Sequence, residues 1–170
     1  MGRVVVRSAI WNYLEPSVSN IQWLTTLHDH PPKVTTEDQW FDEQNPGEGT
    51  GAVVYIYIAN QREKRIATGG PTSGLKFRPY QVDLICFLRS MVSKSEVAEA
   101  DNDEFLDGLV AYIEADRTFD SDGVIFQAGE GDMNGAWDIG TEANFPKLVK
   151  MGMTQTFSVI HLTVCEIIQA

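Results

Sequence analysis

A chain of 170 residues with 43% hydrophobic and 22% charged side chains has the size and composition of one folded domain with a buried core. Its 24 Asp and Glu against 13 Lys and Arg leave a net charge of -11, which excludes a broad nucleic-acid-binding face, because such a face needs clustered cations to displace phosphate counterions. An acidic wall remains compatible with a protein that DNA slides past.

No apolar run reaches the roughly 18 residues that suggest a membrane span. The segment Met1-Gly2-Arg3-Val4-Val5-Val6-Arg7 is charged again too soon for a signal peptide. It also lacks the Ser or Thr expected after a myristoylated Gly2. A reducing cytosol is therefore the expected place of synthesis.

From Arg3 to about Leu27 the spacing predicts helix broken once. Val5, Ala9, Ile10, Tyr13 and Leu14 recur at helical intervals. Glu15-Pro16-Ser17 interrupts them, since the residue before proline disfavours helical geometry. Ser17 is expected to cap a second short helix carrying Ile21, Leu24 and Leu27, which His28-Asp29-His30-Pro31-Pro32 ends. Lys33 to Thr50 is polar, contains Pro46-Gly47 and Gly49, and predicts a long loop that Trp40 and Phe41 anchor to the core.

Ala52 to Ala59 is β-branched or aromatic almost throughout and predicts a strand. The charged turn Asn60 to Arg65 and the flexible Gly69-Gly70-Pro71-Thr72-Ser73-Gly74 follow. Leu75 to Arg89 then resumes as a strand. Val82, Leu84, Cys86 and Leu88 fall on one face, and Asp83, Ile85, Phe87 and Arg89 on the other. The two strands are expected to form a long hairpin in a sheet covered on one side.

Ser93 to Arg117 predicts a second helical region capped by Ser95, with Val97, Phe105, Leu106, Leu109, Val110 and Ile113 as its apolar stripe. It stops near Arg117-Thr118. Val124 to Gln127 predicts a short strand, Gly129 to Pro146 a loop, and Lys147 to Ile168 a last strand from about Met153. The expected class is α+β: one domain over 1–170, with a mostly antiparallel sheet, a long hairpin and helices packed on one face.

The chemistry-bearing residues do not assemble into a reactive set. Cys86 and Cys165 lie in apolar runs and read as reduced core thiols, with a disulfide between neighbouring strands as the alternative. Thr118-Phe119-Asp120-Ser121-Asp122-Gly123 resembles half a calcium loop. It has Thr118 where the first Asp belongs and Gly129 where the bidentate Glu belongs, with Glu130 one step late, so it reads as a tight turn. His28 and His30 form a pair to which His161 could be added as a third metal ligand; a helix-ending loop and a strand histidine is the simpler reading. Gly47-Glu48-Gly49 and Gly129-Glu130-Gly131 carry acids where phosphate would sit. No catalytic residue, metal or cofactor is expected.

The basic cluster is Arg62, Lys64 and Arg65, with Lys76 and Arg78 across the hairpin. It reads either as a solvated tip or as a surface complementary to an acidic face of a partner.

The layout resembles the tail terminator proteins of long-tailed bacteriophages. The features that carry this are the N-terminal helix, the strand Val53-Val54-Tyr55-Ile56-Tyr57-Ile58, and the polar stretch with Gly69-Gly70 and Gly74. The strand Tyr80-Gln81-Val82-Asp83-Leu84, the acidic helix around Asp103 to Ile113 and the closing strand Thr156 to Leu162 complete them. The resemblance is one of layout and size, without an invariant motif. It implies a virion protein, assembled in the host cytoplasm, that forms a ring of its own copies, commonly six. That ring would cap the tail tube protein and receive the head-side connector. Another head-tail connector or a tail tube protein is the neighbouring alternative. A metal-binding enzyme or small-ligand binder built on His28, His30 and His161 is the alternative from a different class.

Overall fold

A computed structural model of the chain describes residues 2–31, 49–61, 64–65, 75–92, 94–121, 125–128, 139–150 and 152–169. The protein is α+β. The first helix, α1 (Arg3–Leu14), buries Val6, Ile10 and Leu14, spaced by four, on one side. It runs into a 3-10 turn over Glu15–Ser19, where proline near the start of the turn leaves no α-helical continuation. The expected second helix does not form. The buried Ser17 hydroxyl donates to the Leu14 carbonyl at 2.6 Å, closing α1 instead of opening another helix.

Leu24 and Leu27 instead lie in strand β1 (Leu24–His28), parallel to strand β2 (Gly51–Gln61). The register slips between Leu24 and Thr26, so two residues of β1 face one of β2. That bulge puts residues three apart on the same buried face and imitates a helical period. The adjacent Thr25 and Thr26 are β-branched and favour the extended form. Trp23, at φ 69°, turns the chain into β1, and its carbonyl accepts the Ala52 amide at 2.7 Å.

The expected hairpin is present. β2 pairs antiparallel with strand β4 (Leu75–Ser90), from Gly51 opposite Arg89 to Gln61 opposite Tyr80. The short strand β3 (Lys64–Arg65) continues alongside β4. The other edge of β4 pairs with strand β7 (Met153–Gln169) from Leu75 opposite Gln169 to Ser90 opposite Thr154, without a register break. Strand β5 (Ile125–Ala128) and strand β6 (Gly140–Lys150) share the far edge of β7. The sheet order is β1-β2-β4-β7-β5, with β6 also on β7.

β6 overturns part of the expected loop over Gly129 to Pro146. Residues 140–146 are strand, and Pro146 falls within the register shift between Asn144 and Leu148, where a missing amide is tolerated. Residues 129–138, most of the expected loop at 33–50, and Gly69 to Gly74 lie outside the described residues.

Helix α2 (Ser95–Ala115) follows β4. Lys94, not Ser95, occupies the N-cap position, and the helix ends two residues before Arg117. Its buried stripe is Ala98, Phe105, Leu106, Leu109 and Ile113; Val97 is 42% exposed and belongs to the outer face. The stripe and α1 cover a single apolar layer of the sheet, built from Val54, Ile56, Val82, Leu84, Leu88, Ile160 and Leu162 among others. Asn102 fixes α2 over β7. Its amide nitrogen donates to Ser158 Oγ at 3.2 Å, and its amide oxygen accepts from Thr156 Oγ1 at 2.8 Å. A buried amide satisfied on both ends resists sliding of the helix along the strand.

The cysteines are far apart. Cys86 faces Ser158 and Cys165 faces Pro79, seven residues further along β7. That is roughly 20 Å or more, beyond the ~7 Å that a disulfide bridges. The disulfide alternative is therefore excluded.

The orientation of α2 is testable by two truncations. Leu109→Ala is expected to lower stability by about 2–5 kcal/mol, and Val97→Ala to change it by less than about 0.5 kcal/mol, in urea unfolding followed by circular dichroism. Equal losses at both positions would place the helix the other way round.

Candidate functional site

Three regions gather the polar and aromatic residues outside the main core. The first is the far end of the hairpin. The β3–β4 register sets Lys64 opposite Phe77 and Arg65 opposite Lys76. Three of the five expected cationic positions therefore fall within one short stretch of paired backbone, while Arg62 lies outside the described residues. Arg78 has a second role. It sits directly opposite Glu166 in the β4–β7 register, with a guanidinium nitrogen 3.8 Å from Glu166 Oε2. Tyr80 donates its hydroxyl to the same oxygen at 2.8 Å. Glu166 is fully buried, so this cation and this phenol compensate a carboxylate taken out of water. Burial, with a smaller effect of Glu166, raises the Tyr80 phenol above its ordinary range.

The second surface is the outer face of α2. Glu96, Glu99, Asp103, Glu104, Asp107 and Glu114 are exposed on it, and the helix contains no Lys or Arg, while the half-buried Asp101 turns to β4 and accepts the Ser90 hydroxyl at 2.9 Å. Like charges at i,i+4, such as Glu99–Asp103 and Asp103–Asp107, cost an isolated helix about 0.2–0.5 kcal/mol per pair. The face therefore concentrates one sign of charge at some expense of helix stability.

The third surface is the sheet face turned away from both helices. Val53, Tyr55 and Phe87 form a small buried cluster there, joined by Ile85 and Phe157. Its rings meet edge-on or tilted, Tyr55 to Phe87 at 6.1 Å and Phe87 to Phe157 at 5.1 Å between centroids. At the β1 side, His28 stacks on Tyr55 at 4.7 Å, and His30 lies 5.4 Å from His28. Burial, then the neighbouring His30, lowers the His28 pKa.

On the β7 side of the same face, Tyr57, Asp83 and His161 stand in one row across three strands. His161 Nδ1 is 2.8 Å from Asp83 Oδ1, and its Nε2 is 3.3 Å from Glu142 Oε2 on β6. The imidazole thus bridges carboxylates of two flanking strands. The hydrogen bond that Asp83 accepts raises its pKa most, burial opposes this, and the bond that Glu142 accepts adds a smaller rise.

The three-histidine alternative does not assemble. His28 pairs with Tyr55, Tyr55 with Ile85 and Ile85 with Val159, so His161 stands three strand spacings across and two residues along, roughly 16 Å away. The described part of the calcium-like segment, Thr118 to Ser121, is a turn held by Asp116, while Asp122, Gly123, Gly129 and Glu130 lie outside the described residues. Asp116 Oδ1 accepts the Thr118 amide and hydroxyl at 2.9 and 2.6 Å, and Oδ2 accepts the Asp120 amide at 3.0 Å. Those bonds, the Thr118 hydroxyl foremost, lower the Asp116 pKa. Phe119, held at φ 53°, is buried in the core against Tyr13. Burial pushes the Cys86 thiol far up, so it is no nucleophile at neutral pH.

The bridge between Asp83, His161 and Glu142 joins residues that are 19 to 78 positions apart in the chain. Its signal was polarity: Asp83 and His161 both sit in otherwise apolar strands. The partner of each depends on the β4–β7 register, which no local pattern encodes.

No protein-family model matches the chain, and no curated protein matches it. Among solved structures, one whose name is a bare sequence identifier shares 13% identity over 96% of each chain, with a TM-score of 0.40. A likeness at that level says nothing about what this chain does.

The histidine bridge has a pH signature. A raised folded-state pKa means the contribution is fully present below the ordinary value of 6.5 and is lost as pH rises through the raised one. In an NMR titration His161 should titrate above 6.5, and Asp83→Asn should move it down further than Glu142→Gln. An unaffected titration in Asp83→Asn would remove the bridge.

Proposed function

We propose that the protein is a structural virion component without catalytic activity, which caps a phage tail tube as a ring of its own copies and joins it to the head-side connector. The observation that carries this reading is the separation of charge. The outer face of α2 exposes six acids, and the helix carries no base, while Lys64, Arg65 and Lys76 fall together on the paired strands β3 and β4. Opposite charges on different parts of one chain favour a head-to-tail contact between copies, and such contacts close into rings when the rotation per copy is right. The element order, with a leading helix, a long hairpin, an acidic helix and a long closing strand, supports the resemblance to tail terminators. Net negative charge suits a channel that DNA crosses without being gripped.

Assembly decides it. Purified protein, alone and mixed with tail tube protein, is expected to give rings and capped tubes in negative-stain electron microscopy. The rings should loosen as salt shortens the Debye length from about 10 Å at 0.1 M towards about 3 Å at 1 M. Charge reversal at Lys64 and Arg65 should weaken them at low salt. Protein that stays monomeric and never caps tube ends would refute the proposal, and long tubes formed by this protein alone would identify a tube subunit instead.

A further inference from the structure

The end of β1 holds two imidazoles on the sheet face turned away from the helices. Their ring centroids are 5.4 Å apart. A metal bound by a ring nitrogen at about 2.0–2.1 Å lies about 3.2 Å from that ring's centroid, so two imidazoles on one tetrahedral ion place their centroids about 5.2 Å apart. The observed spacing fits a shared ion.

Both rings are held by neighbours. His28 stacks on Tyr55 with 22° between the planes, which fixes its orientation from the adjacent strand. His30 engages Asp29 Oδ1 through Nδ1 at 2.9 Å, leaving Nε2 as its donor. A carboxylate behind a histidine in this way sets the tautomer and strengthens the ligand. Among the described residues no group of three or more His, Cys, Asp and Glu is placed to hold a metal, so the pair offers two protein donors.

We propose that His28 and His30 form a bidentate site for a divalent transition-metal ion, with Asp29 as the positioning residue for His30. The site is separate from the charged surfaces of the assembly reading and does not depend on it. Imidazole donors suit zinc, nickel and copper, and copper(II) binds such a set most tightly.

The test uses the full chain without a histidine tag, titrated with copper(II) at neutral pH by calorimetry and by electron paramagnetic resonance. The expected result is one site whose spectrum reports two imidazole nitrogens. His30→Ala, at an exposed position, should abolish the two-nitrogen spectrum while leaving the circular dichroism intact. Asp29→Asn should weaken binding on the order of tenfold, and His161→Ala should leave it unchanged. Binding that persists undiminished in the His28→Ala/His30→Ala double variant, a spectrum with fewer than two imidazole nitrogens, or no copper binding at all would overturn the proposal.

Discussion

The rest of the structure depends on the antiparallel ladder between β4 and β7. It runs sixteen residues, Leu75 to Ser90, without a register shift. Every other pairing is attached to it: β2 and β3 on the free edge of β4, and β5 and β6 on the free edge of β7. Because side chains alternate in a strand, one slip of this ladder would exchange the two faces of β7. Ile160, Leu162 and Val164 would leave the core, Asn102 would lose Thr156 and Ser158, and Asp83 would no longer meet His161. A long uninterrupted register thus fixes packing and surface chemistry together.

Much of the fold was legible because faces of unequal burial leave a period in the residues. Val82, Leu84, Cys86 and Leu88 alternate with Asp83, Ile85 and Phe87, and β4 carries α1 and α2 on one side only. The aromatic and β-branched run Val53 to Ile58 marked β2, and the stripe from Phe105 to Ile113 marked α2. The misreadings have local causes. In β1 a bulge gave Leu24 and Leu27 a helical interval. In β6 Gly140, Asn144 and Pro146 carry turn signals, yet the strand borrows its order from pairing with β7, a contact that lies beyond any window of sequence. In α2 Val97 has the larger apolar side chain, yet the buried phase falls on Ala98, one residue on.

The candidate surfaces were legible to different degrees. An all-acid α2 can be counted directly from the residues, and its outward direction follows from the apolar stripe opposite. The hairpin sets Arg65 against Lys76, as its folding implies, while Arg78, expected among the surface cations, serves the buried Glu166. That role was invisible because a carboxylate inside the run Val164-Cys165-Glu166-Ile167 gives no sign of which opposing residue will compensate it. The His28–His30 pair is visible as two histidines, but the stack of His28 on Tyr55 depends on the parallel pairing of β1 with β2, where the spacing of Leu24 and Leu27 predicts helix.

Residue-resolved hydrogen exchange tests the primacy of the β4–β7 ladder most directly. Amides of Val82 to Leu88 in β4 and Phe157 to Val164 in β7 should be the slowest in the protein, exchanging only through global unfolding, with α2 and β1 opening at lower free energy. Exchange of the ladder through local opening, faster than that of α2, would contradict the account.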